Sequence, residues 1–172
     1  MKKIIVIPFL LIIGFINAQK IELIESFIGY TNKSEIISFS PNPKLIMSGD
    51  YQGGINLWDL EKQKLIKKIN AHTQPINNIT FHEKKDIFLS CSKDSTIKLW
   101  SFYSNKMLDS LKINDIPTLA IFRDKRNSYL ICTKNGKIIE KSTKRKTATE
   151  IANINNIITD AVFTMDKKKI IT

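Results

Sequence analysis

Cysteine is scarce in this sequence: two occur among 172 residues, Cys91 and Cys132. Two in a chain long enough to build a core do not make a disulfide framework. Glycine (6) and proline (5) are also few, which excludes collagen-like and low-complexity chains. Histidine is limited to His72 and His82. There is no zinc spacing, no phosphate-binding Gly-rich loop, no dinucleotide fingerprint and no Gly-x-Ser-x-Gly stretch. The common signatures of catalysis are therefore missing, and neither a cofactor nor a metal is expected. Acids are in short supply too, 16 against 27 lysines and arginines, for a net charge of +11. The lysines are scattered along the whole chain, which reads as solvated surface and not as a nucleic-acid footprint.

Long hydrophobic runs are absent save one. Lys2 and Lys3 precede "IIVIPFLLIIGFI", residues 4–16, followed by Asn17, Ala18 and Gln19. A basic start, a short apolar core and a small residue at its end form the pattern of a secretory signal peptide. The run falls short of the ~20 apolar residues that a spanning helix needs. Residues 1–18 are thus expected to be a signal cut after Ala18, with 19–172 exported to the periplasm or beyond. On this reading the only membrane contact is through the signal before cleavage.

What is present is repetition. Phe39, Phe81, Phe122 and Phe163 recur at intervals of 41 or 42 residues, in "IISFSP", "NITFHE", "LAIFRD" and "DAVFTM". Apolar and polar residues alternate around each, as in short strands with buried faces. A polar turn follows, then a second strand ("LIMSG", "IFLSC", "SYLIC", "IIT"). Next come the turns holding Gly53, Ser95 and Gly136, suited to positive φ. The third strands are "INLWDL", "IKLWSF" and "KIIEKS"; fourth strands are "KLIKKI" and "KMLDSL". Each unit is four antiparallel strands in about 40 residues. The units centre on 30–70, 72–112, 114–152 and 155–172, the last stopping within its second strand. Cys91 and Cys132 fall at matching positions of neighbouring units, where small buried residues are expected.

A period of ~40–45 residues, four strands per unit, Trp58-Asp59 in the first unit and "CSKDSTIKLW" with Trp100 in the second resemble WD40-repeat proteins. The resemblance spans residues 21–172. It implies an all-β fold, a partial propeller of about three complete blades and a truncated fourth in an open arc. One blade cannot bury two apolar faces alone, so neighbours must stack on both sides. Phe39, Phe81, Phe122 and Phe163, with Trp58, are expected to form the repeating core; burying each ring contributes roughly 1.5–3 kcal/mol. Further blades beyond Thr172, or self-association, are expected to cover the open ends.

His72, Ser90, Asp94 and Trp100 invite comparison with a hydrolase triad. The resemblance implies a structural tetrad instead: the His72 ring bridges Asp94 and Ser90, and Ser90 accepts the Trp100 indole N–H. Ser90 sits inside an apolar strand, where a nucleophile would lack access. The first unit has Tyr30, Ser48, Gln52 and Trp58 at these positions, and the third has Asn114, Ile131, Asn135 and Lys141, so only the second can complete the tetrad. The basic run "KSTKRK", 141–146, reads as a solvated hairpin, with a patch for an acidic partner or an anionic surface as the alternative. Asp124 and Asp166 lack the spacing of a calcium loop.

The resemblance also implies a protein partner docking on the loops before the first strand and between the second and third. That points to Tyr30, Tyr51, Gln74, Lys93 and Lys134. The expected function is a non-enzymatic protein-interaction scaffold. The alternative is the sensing or regulatory N-terminal part of a larger exported enzyme.

Overall fold

The computed structural model describes residues 34–123, 127–164 and 169–172. The expected signal segment, Tyr30, Asp124 and Asp166 lie outside them. Among the described residues every regular element is a β-strand. Strands β1 (Ser34–Phe39), β2 (Leu45–Asp50), β3 (Gly54–Asp59) and β4 (Lys64–Asn70) form one antiparallel sheet in chain order. The second sheet repeats this with β5 (Ile76–Phe81), β6 (Ile87–Ser92), β7 (Thr96–Ser101) and β8 (Met107–Lys112). The third has β9 (Pro117–Arg123), β10 (Ser128–Thr133), β11 (Lys137–Ser142) and β12 (Ala148–Asn153). A two-stranded remnant, β13 (Val162–Phe163) and β14 (Ile170–Ile171), follows.

Turn chemistry sets these hairpins. Gly53, Ser95 and Gly136 occupy one turn position in successive sheets, with φ of 86°, 66° and 85°. Glycine enters this region without steric cost, whereas Ser95 carries strain there. The same turns clasp each sheet to the next stretch of chain. The carbonyl of Gly53 accepts the His72 amide at 2.8 Å, that of Ser95 the Ile113 amide at 3.0 Å, and that of Gly136 the Ile154 amide at 3.0 Å.

Alternation within the strands gives every sheet two apolar faces. Met47, Ile55 and Leu57 of the first sheet pack against Ile76, Ile79, Phe88 and Trp100 of the second. Leu89, Cys91, Ile97 and Leu99 on its other face meet Ala120, Phe122, Tyr129 and Ile131. Leu119, Leu130, Cys132 and Ile138 then meet Ile158 and Ala161, with Phe163 and Ile170 at the margin. Both cysteines are buried and unpaired. First strands lie side by side, β5 packing on both β1 and β9. The outer strands β4 and β12 are largely exposed. The result is a stack of radially arranged sheets, an open partial propeller.

The four phenylalanines share one register. Phe39 stands opposite Ile46, Phe81 opposite Phe88, Phe122 opposite Tyr129 and Phe163 opposite Ile170. Their burial is not uniform, and the expected core role fails for Phe39, which is 74% exposed. Phe122 is buried, with the His82 ring of the preceding sheet at 4.9 Å. Phe81 is half-buried in the core shared by the first two sheets, its ring centre 5.7 Å from that of Phe88 and 5.4 Å from that of Phe102. Among the described residues no sheet precedes β1, so Phe39 has nothing to lean on. Trp58 and Phe163 are also half-buried.

Candidate functional site

The second sheet brings four distant side chains into one buried chain. β4 ends at Asn70, and the clasp on Gly53 holds the backbone of Ala71 and His72. A Cβ on Gly53 would collide with the His72 carbonyl oxygen, so a side chain here would force the clasp open. His72 Nδ1 lies 2.9 Å from Asp94 Oδ2, and Nε2 lies 2.7 Å from Ser90 Oγ. Trp100 Nε1–H donates to Ser90 Oγ at 2.9 Å. Trp100 itself stacks on Phe88, with ring centroids 6.0 Å apart and planes 9° apart.

The proton positions follow from the partners. Asp94 Oδ1 accepts the Thr96 hydroxyl (2.6 Å) and amide (3.0 Å), and Oδ2 accepts the Thr73 amide (3.1 Å). An acceptor so occupied is ionised, and His72 Nδ1–H donates to it. Nε2 then accepts the Ser90 hydroxyl proton, leaving Ser90 Oγ to accept from Trp100. Burial pushes the His72 pKa below its ordinary value despite the opposing pull of Asp94. Burial alone would raise Asp94, but the Thr96 and Thr73 hydrogen bonds and the nearby His72 outweigh it and the net shift is downward. The pair is therefore neutral imidazole with carboxylate. Ser90 is fully buried and its oxygen is saturated, so it has no route to a substrate. Among the described residues no three His, Cys, Asp or Glu side chains converge as metal ligands.

The other sheets keep parts of the chain. In the first, Trp58 Nε1–H donates to Ser48 Oγ at 2.9 Å, and Gln52 is exposed. In the third, the contact between loop and turn is rebuilt with reversed polarity: Asn135 Nδ2–H donates to Asp115 Oδ1 at 3.1 Å. The loop partner is Asp115, not Asn114. Ile131 replaces the serine in a wholly apolar setting. Lys141, at the tryptophan position, overturns the reading of 141–146 as solvated throughout, for it is only 2% exposed. Its ammonium donates to Asp109 Oδ2 (2.9 Å) and to the carbonyls of Ser142 (2.8 Å) and Arg145 (2.6 Å). Three N–H donors meet three acceptors, which is the condition for burying a lysine.

A set of caps had no evident sequence signal. The last residue of each second strand differs, yet each closes the following turn. Asp50 Oδ1 accepts the Gly54 amide at 2.7 Å, Ser92 Oγ the Asp94 amide at 3.1 Å, and Thr133 Oγ1 the Lys137 amide at 3.1 Å. A short oxygen-bearing side chain at this position is the shared feature, visible only once the units are aligned.

The residues expected to meet a partner share one end of the sheets. Tyr51, Lys93 and Lys134 are exposed on equivalent turns between second and third strands. Lys93 Nζ sits 5.4 Å from the centre of the Tyr51 ring, a cation–π contact joining the first two sheets. Gln74 is exposed beside them, its carbonyl accepting the Ser92 hydroxyl at 2.9 Å. A family model described as "WD domain, G-beta repeat" matches residues 22–59 and 63–101. Each matched stretch contains one of the Ser–Trp pairs above. No match is found among curated proteins.

Proposed function

Given that this chain is a WD40-repeat protein, hence of an interaction-scaffold kind, we propose that it is exported and presents the edge formed by Tyr51, Gln74, Lys93 and Lys134 to a protein partner. The Tyr51–Lys93 pair carries this reading. It holds an aromatic ring and an ammonium in fixed relation across two sheets, at the end where successive turns converge. Aromatic and long polar side chains dominate contact energies when a partner desolvates them. The turns beneath are closed by the Asp50, Ser92 and Thr133 side chains, which lowers the ordering needed on binding. The tetrad lies directly below, with Asp94 next to Lys93 in the same turn. It supports the edge and takes no part in chemistry.

Export is favoured by the arrangement of residues 2–18, a basic start followed by a short apolar core and a small residue. Two measurements test the proposal. Cell fractionation with N-terminal sequencing is expected to find the protein outside the cytoplasm and starting at Gln19; a cytoplasmic chain retaining Met1 would end the export reading. A photo-crosslinker at position 93 is expected to capture a protein that the same probe at position 67, on an outer strand, does not. Equal capture at both positions, or loss of nothing on combining Tyr51→Ala with Lys93→Ala, would overturn the docking edge.

A further inference from the structure

At the opposite end of the third sheet, the start of β10 and the β11–β12 turn flank a recess of about 500 Å³. One side carries Asn127 and Ser128 at the start of β10; the other is the β11–β12 turn, Ser142 to Thr147. The walls carry Ser128, Ser142, Thr147, Thr149, Lys144 and Arg145. One carboxylate faces in, that of Glu140, and it is already compensated: Arg123 Nη1 donates to its Oε1 at 3.1 Å, and the Ser128 hydroxyl at 2.7 Å. Lys144, Arg145 and Lys146 are exposed. Among the described residues no acid pairs with them. Among the described residues the recess therefore has surplus positive charge beside the hydroxyls of Ser142, Thr147 and Thr149.

Its shape is fixed from below. The buried Lys141 ammonium ties the Ser142 and Arg145 carbonyls together and to Asp109. Thr143 closes on Asn127 through both its amide (2.9 Å) and its hydroxyl (2.8 Å). The Lys85 ammonium reaches Asn127 Oδ1 at 2.7 Å from the second sheet. The backbone of the β11–β12 turn is thus tied to Asn127, and the Lys144–Arg145 pair stands on that support. A planar guanidinium fork next to an ammonium and hydroxyls matches an oxyanion bearing several acceptor oxygens.

We propose that this recess is a binding site for a tetrahedral oxyanion, a phosphate or sulfate group, with room left for the molecule that bears it. The site lies at the far end of the sheet from Lys134 and stands independently of the docking edge. A phosphate on a soluble molecule and one on a lipid headgroup share this chemistry, so the test carries an arm for each. Amide chemical shifts of the full chain are followed while inorganic phosphate is added at constant ionic strength, with sulfate and acetate as comparators. The expected result is saturable shifts confined to Asn127, Ser128 and residues 142–149, with phosphate and sulfate alike and at least tenfold weaker with acetate. Lys144→Ala combined with Arg145→Ala weakens this at least tenfold, whereas Lys62→Ala on the first sheet leaves it unchanged. Shifts that grow linearly, spread over all the lysine-bearing turns, or match those from acetate overturn the site. Vesicles containing phosphatidylglycerol supply the second arm. Co-sedimentation lost in the double variant and competed by free phosphate assigns a headgroup to the recess. Co-sedimentation that free phosphate leaves untouched reveals a diffuse basic surface and refutes the recess.

Discussion

Replacing Ser90 by alanine is the sharpest probe of the buried chain. The hydroxyl makes two bonds, 2.9 Å from Trp100 Nε1 and 2.7 Å to His72 Nε2. Removing it strands one donor and one acceptor. Water cannot replace it without rearrangement, because the His72 side chain is fully buried and Trp100 is 6% exposed. Each stranded group costs about 1–3 kcal/mol, and because the two share one partner the total expected is about 2–4 kcal/mol. Ser48→Ala in the first sheet is the internal comparison. It strands only the Trp58 indole, at 2.9 Å, and that ring is half-buried, so water can take over and the expected loss is about 0.5–1.5 kcal/mol. Urea unfolding followed by circular dichroism, with equal slopes required of all variants, reads both values. A double-mutant cycle with Trp100→Phe should return a coupling of about 1–2 kcal/mol. If the two alanine variants are equally stable, or Ser90→Ala costs under about 0.5 kcal/mol, the chain does not hold the second sheet together and the reasoning fails.

Further outcomes follow from the same geometry. The His72 pKa is lowered from 6.5 by burial, so the unfolded chain binds more protons below that value and stability should fall as pH drops from 7.5 towards 5. His72→Gln should flatten that slope, and urea midpoints across this range that are identical in the two proteins would contradict it. The Asp94 contribution has its own window: its pKa is lowered from 3.8, so its stabilisation is present above 3.8 and disappears as pH falls through the folded value. Gly53→Ala should reduce the melting temperature by several degrees, since its φ is 86° and the new Cβ would collide with the His72 carbonyl, whereas Ser95→Gly should be neutral or mildly stabilising by relieving φ 66°. Cys91 and Cys132 should resist thiol reagents until urea unfolds the chain: both are buried, burial pushes the Cys91 thiol far up and that of Cys132 up to about 11, and labelling of the native protein within minutes would count against the buried register.

The strands were legible because a buried sheet imposes a period of two, and the phenylalanine spacing located equivalent first strands. The His72–Asp94–Ser90–Trp100 chain was expected on a different ground, the resemblance to WD40-repeat proteins, and the residues taken alone suggested a hydrolase triad equally well. Burial was less legible. Phe39 and Phe122 share a register, and only the neighbouring sheet decides which is covered. Lys141 was misread because charge was taken from sequence, while its burial depends on Asp109 from the preceding sheet and on carbonyls freed by its own hairpin. The swap of His72 and Asp94 for Asp115 and Asn135 was hidden by a one-residue offset in the loop. Thr96 drew no notice, since threonine in a strand ordinarily signals nothing beyond β-propensity.

The backbone clasps on Gly53, Ser95 and Gly136 separate two properties that are easily confused. Spacing between successive units is set by main-chain atoms, which every residue possesses, while the interior of each unit is set by side chains that differ widely. A unit can therefore exchange indole and imidazole for an ammonium and an amide, as the third sheet does, and still hand the chain on at the same pitch. Decay or redesign of one unit's interior should stay local to it, with the alignment of its neighbours inherited from the peptide groups alone.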